Sequence, residues 1–186
     1  MCTKLSTHIG ILLCLSVPLL AVDIGETAPI FNANDHNGNL WQGTKHIGQG
    51  QYLIIYFYPA AMTGGCTKQA CAYRNDTAIL KELGITVAGV SADPVNNLKA
   101  FQQTEGLNFS LLSDVNGTIA KLFGVPLRKG GSIERSVEGK ETTLIRPYTT
   151  ARWTFIVDKQ GKVIYKKTDV KAANDSQAAI AFIKGL

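Results

Sequence analysis

Two cysteines five positions apart, Cys66 and Cys71, are the residues of this chain best suited to chemistry. A cysteine is nucleophilic as the thiolate, and free backbone N–H groups at the positive end of a helix stabilise that anion. Pro59 ends an apolar run, Thr63-Gly64-Gly65 makes a small loop, and helical spacing begins at Cys66. The sulfur therefore falls at or just inside the first helical turn, where N–H groups have no partner in the helix. Cys71 lies on the same expected helix. Five residues of regular helix hold two Cα atoms about 8–9 Å apart, whereas a disulfide needs them within about 7 Å. Either the segment is not helical and carries a static disulfide, the ordinary reading of a close pair in an exported protein, or the first turn unwinds as the bond forms. Only a cycling disulfide requires the second.

The flanking elements set the stage for this corner. Residues 51–58 (QYLIIYFY) are rich in β-branched and aromatic side chains and read as a buried strand. Ala70, Tyr73, Thr77, Leu80 and Leu83 recur at spacings of three and four, which predicts one helix over 66–83 closed by Gly84. Residues 85–91 form a second strand, and Asp93-Pro94 starts a helix running to residue 104. A third short strand (109–112), a short helix (116–123), a hairpin (152–158 with 162–165) and a closing helix (175–184) follow. His36-Asn37-Gly38-Asn39 marks a turn in an N-terminal hairpin over 30–46. The order predicts an α/β sandwich with a mixed central sheet flanked by helices. Residues 124–150 match no element strongly and read as a surface excursion containing short extended pieces.

Composition narrows the function. Of 186 residues, 45% are hydrophobic and 18% charged, enough for one domain with a real core and unlike a disordered chain. The formal +5 charge is scattered, with Lys166-Lys167 the nearest approach to a run, which argues against nucleic-acid binding. Residues 9–22 are apolar but fall short of the roughly 20 needed to span a bilayer, and Pro18 interrupts them. With Lys4 before the run and Ala21 at its end, residues 1–21 read as a secretory signal peptide and residues 22–186 as the mature domain. The expected location is exported, periplasmic, with no stable membrane association after cleavage. Removal of Cys2 and Cys14 leaves Cys66 and Cys71 as the mature cysteines. His36 and His46 lack ligand-like spacing, so neither a metal nor an organic cofactor is expected.

The run Tyr56-Phe57-Tyr58-Pro59-Ala60-Ala61-Met62-Thr63-Gly64-Gly65-Cys66, continuing to Cys71, closely resembles the active-site segment of peroxiredoxins. The Cys-x4-Cys spacing resembles that of the bacterioferritin-comigratory, or Q-type, group. Gly25-Glu26-Thr27-Ala28-Pro29 is similar to the family's opening motif, and Arg152-Trp153-Thr154-Phe155 to its late strand. The resemblance implies a thioredoxin-like fold with an N-terminal β-hairpin and a thiol peroxidase acting on hydrogen peroxide and organic hydroperoxides. It makes Cys66 the peroxidatic cysteine, which becomes a sulfenic acid, and Cys71 the resolving cysteine. It further implies that Thr63 directs its hydroxyl at the thiolate and peroxide, that Pro59 shields the pocket, and that Arg152 supplies the cation. A thioredoxin-like or other dithiol would regenerate the enzyme, and resolution within one chain lets a monomer suffice. Arg74 also matches a family position but stands outside the core site. Gly64 departs from the proline often found there, which loosens the corner. Two alternatives remain at this stage: a protein thiol–disulfide oxidoreductase, and a non-catalytic redox-sensing or binding domain.

Overall fold

The computed structural model describes residues 21–186, so the signal peptide read over residues 1–21 lies outside the described residues apart from Ala21. Nine strands and five helices follow in order: β1 (Asn32–Asp35), β2 (Leu40–Gln42), β3 (Tyr52–Phe57), α1 (Gly64–Asn75), α2 (Thr77–Glu82), β4 (Ile85–Ser91), α3 (Val95–Glu105), β5 (Ser110–Ser113), α4 (Thr118–Leu122), β6 (Leu127–Val137), β7 (Lys140–Thr150), β8 (Trp153–Val157), β9 (Val163–Lys167) and α5 (Asp175–Lys184). Seven strands form one sheet in the order β2-β1-β5-β4-β3-β8-β9, with β3, β4 and β5 parallel and the rest antiparallel to their neighbours. This is the thioredoxin-like mixed sheet with an N-terminal hairpin. In that hairpin the Asp35 carboxylate accepts the backbone N–H groups of Asn37 and Asn39, and Gly38 takes the positive φ the turn needs.

The central strand β3 is buried on both faces, as a parallel sheet covered by helices demands. Its side chains alternate: Ile54 and Tyr56, with Tyr58 just beyond, enter one hydrophobic layer with Cys66, Tyr73, Phe101 and Ile180, while Leu53, Ile55 and Phe57 enter the other with Val90, Phe123 and Phe155. The sheet thus separates two cores, and the first of them backs the cysteine corner.

Two expectations need correction. The helix expected over 66–83 starts at Gly64 and breaks at Asp76 into α1 and α2. The Asp76 carboxylate is drawn away by the Ser176 hydroxyl and the Gln177 amide of α5, and the Thr77 hydroxyl donates to Arg74 O. Residues 124–150 hold not short pieces but a regular β-ribbon of two eleven-residue strands, β6 and β7. Its turn, Glu138-Gly139, has positive φ at both positions, as a type I′ turn requires. Leu144 is buried from the ribbon into the first core, with Ile133 and Val137 packed beside it.

Candidate active site

The antiparallel pairing of β8 with β3 sets Phe57 opposite Trp153, which places Arg152 alongside the loop that follows β3. That loop begins at half-buried Pro59 and ends at Thr63, the extended N-cap residue of α1. Cys66 is the third residue of α1 and is 1% exposed. Arg152 Nη2 donates to Cys66 Sγ at 3.3 Å. Gly65 permits that approach, since a Cβ there would lie 3.3 Å from the same nitrogen. The sulfur therefore meets a guanidinium from one side and the open N-terminal turn of a helix from the other, an arrangement that stabilises negative charge on sulfur and on an oxygen bound to it.

Thr63 departs in detail from a simple cap. Its hydroxyl donates to Ala60 O at 2.9 Å and accepts no N–H of the helix, so the first turn of α1 has no side-chain cap. Met62, immediately before it, sits at φ +58°, a left-handed conformation costing a non-glycine residue about 1–2 kcal/mol. Cys71 is not brought to Cys66. Both are free, they share one regular helix, and the Cys71 thiol donates to Glu105 Oε2 at 3.5 Å. Burial, reinforced by that carboxylate, pushes the Cys71 thiol up from its ordinary value against the opposing pull of Arg74. Arg74 itself donates to the Glu105 backbone carbonyl and to Asn75, so it ties α1 to α3 rather than facing Cys66.

A buried polar relay stands behind Arg152. Its Nη1 donates to Gln69 Oε1, and Gln69 Nε2 donates to Asp175 Oδ2 at 2.7 Å. The same Asp175 oxygen accepts the Tyr73 hydroxyl at 2.7 Å and the Thr154 hydroxyl at 2.8 Å. Gln69, Tyr73, Thr154 and Asp175 are all buried, so the carboxylate's desolvation is offset by three strong donors. Gln69 and Asp175 escaped the sequence reading. Gln69 had one visible signal, its place three residues after Cys66 and four before Tyr73, on one helix face; Asp175, 106 positions from Gln69, had none. Beneath the site Tyr56 stacks on Tyr73 at 5.0 Å, and burial holds the Tyr56, Tyr58 and Tyr73 phenols well above their ordinary values. They remain neutral and do not compete as bases.

The AhpC/TSA family profile matches residues 24–166. Peroxiredoxin Bcp of Escherichia coli (strain K12) is 37% identical over 160 residues, covering 86% of this chain and 94% of the relative. The chain is a peroxiredoxin of the Bcp/PrxQ type. Among solved structures, Peroxidoxin BcpB from Mycobacterium tuberculosis superposes with a TM-score of 0.72 at 29% identity, covering 89% of this chain and 98% of that one. The bacterioferritin comigratory protein of Xanthomonas campestris, whose structures concern its alkyl peroxide reduction activity, gives 0.68 at 25% identity, covering 83% and 90%. This peroxiredoxin is accordingly a thiol peroxidase. Among its described residues no group of three His, Cys, Asp or Glu is arranged to hold a metal ion.

Proposed function

We propose that this peroxiredoxin reduces hydrogen peroxide and organic hydroperoxides through Cys66, with Cys71 as the resolving residue. The Cys66 thiolate attacks one peroxide oxygen, the O–O bond breaks, and water or an alcohol leaves after taking up a proton. The Cys71 thiolate then attacks the sulfenic sulfur, forming an S–S bond as the S–O bond breaks, and the displaced hydroxide takes up a proton and leaves as water. A thioredoxin-like dithiol reduces that disulfide by exchange, being itself oxidised. The observation that carries the reading is the Arg152 guanidinium on the Cys66 sulfur at the mouth of α1. Pro59 and Thr63 complete the pocket wall, the Thr63 hydroxyl turning from Ala60 O toward bound peroxide. The alkyl peroxide activity of the Xanthomonas relative supports the broader substrate range.

Resolution requires the first turn of α1 to open, and its local chemistry favours opening. Gly64 and Gly65 are exposed, a Cβ at Gly64 would meet nothing within 4 Å, and no side chain caps the turn. Cys71→Ser is the direct test. With one equivalent of peroxide, wild-type protein should lose both thiols without gaining oxygen, whereas the variant should hold one added oxygen on Cys66, seen by mass spectrometry. A variant that gains no oxygen on Cys66, or wild-type protein that stops at the oxygen adduct, would refute the assignment.

Because the Cys71 thiol is pushed up, it is mostly protonated near neutrality, and the attacking thiolate becomes more abundant as pH rises. Disulfide closure followed by rapid quench should therefore accelerate with pH above neutral, and Glu105→Gln should close faster than wild type at each pH. Export to the periplasm as residues 22–186 belongs to the same reading. N-terminal sequencing of protein recovered from a periplasmic fraction tests it: a chain beginning near residue 22 is expected, and an intact Met1 would refute it.

A further inference from the structure

The β6–β7 ribbon grips the loop that leads into Cys66 at three points. From β7, the buried Thr150 hydroxyl donates to Tyr58 O at 2.9 Å. Also from β7, Arg146 Nε donates to Asp93 Oδ1 at 2.8 Å, both side chains being almost wholly buried, and Asp93 Oδ2 accepts the Ala61 N–H at 2.8 Å. From β6, Arg135 Nε donates to Met62 O at 2.7 Å, while its Nη1 is anchored on Glu134 O. These contacts end at the residue with the unfavourable positive φ, next to Thr63. Beyond it, the uncapped Gly64-Gly65 turn carries no comparable tether.

We propose that Arg135 and Arg146 of the ribbon are positioning residues for peroxide reduction: they hold the Ala61–Met62 backbone in its strained conformation so that Thr63 and the opening turn of α1 stay where a peroxide approaching Cys66 must bind. The chemistry is preorganisation. A loop freed to relax at Met62 would swing Thr63 and the amides of the first turn away from where the peroxide must sit, and misplacement of that kind slows a reaction even when every reacting group is present. Arg135 acts through the Met62 carbonyl, and Arg146 through Asp93 and the Ala61 amide. The ribbon is thereby part of the active-site support and not a surface ornament. The proposal rests on Cys66 being the peroxide-reactive residue.

Removing Arg146 would leave the Asp93 carboxylate buried without its cation, so half-buried Arg135 carries the test. Arg135→Ala should slow the second-order oxidation of Cys66 by hydrogen peroxide about tenfold, read by single-turnover thiol loss. Arg135→Lys, which still offers a donor to Met62 O, should recover most of that loss. In a Met62→Gly background, where positive φ carries no penalty, Arg135→Ala should cost much less. Wild-type oxidation in Arg135→Ala, no recovery with lysine at equal melting temperature, or an undiminished loss in the Met62→Gly background would each overturn the proposal. Cys66→Ser run in parallel separates the two levels: if it still consumed peroxide, the assignment of Cys66 would fall, independently of what Arg135 does.

Discussion

Cys66→Ser is expected to abolish peroxide consumption, by about a thousandfold or more, while the protein stays folded. A serine hydroxyl is not appreciably ionised at neutral pH and is a poor nucleophile toward a peroxide oxygen, so the geometry that remains has nothing to attack with. The fold should tolerate the change because serine is close to cysteine in volume and its oxygen can accept the Arg152 donor now resting on sulfur. Circular dichroism should be unchanged and the melting temperature close to wild type. Peroxide clearance by Cys66→Ser at an appreciable fraction of the wild-type rate would move the chemistry to another residue, with Cys71 first in line.

Arg152→Ala should slow the reaction of the reduced enzyme with peroxide by about a hundredfold to a thousandfold, the usual cost of losing a fixed donor aimed at developing charge. The effect should fall on the oxidation step, measured by stopped-flow mixing under single-turnover conditions, and not on the later reduction of the disulfide. Arg152→Lys should restore only part of the rate. One ammonium cannot donate in fixed directions to both Cys66 Sγ and Gln69 Oε1, as the planar guanidinium does. Wild-type rates in Arg152→Ala would show that the helix terminus alone activates the sulfur.

The elements carrying the site were legible because local sequence and burial agree there. β4 matches residues 85–91 and α5 matches 175–184, and β3 falls within the apolar run that suggested it. Cys66 was placed correctly in the first turn of its helix because a proline, a short glycine loop and helical spacing follow one another without interruption. The ribbon misled for a physical reason. Gly130 looks like a loop residue, but a Cβ there would sit 2.1 Å from Arg146 O, so the glycine is what lets β7 approach. Pro147 faces it and offers no N–H, and the ladder skips that pair. Alternation along a strand exposed on most of its surface leaves little hydrophobic signature. Asp93-Pro94 has the look of a helix start, yet α3 begins at Val95 and the Asp93 carboxylate is spent on Ala61, Ser91, Asn97 and Arg146. Ser91 and Asn97 are close by in the chain, but Ala61 and Arg146 lie 32 and 53 positions away, set by the tertiary fold, and no window of sequence contains them.

The carboxylate that steadies Gln69 is the first residue of the last helix. A chain still emerging from the ribosome can complete the strand, the corner and even Arg152 while that helix is unmade. Until it docks, the amide behind the guanidinium has no anchor. Without that helix Arg152 would keep its direct contact with the sulfur but lose the buried anchor behind it, so the last helix fixes the aim of a cation set on another element.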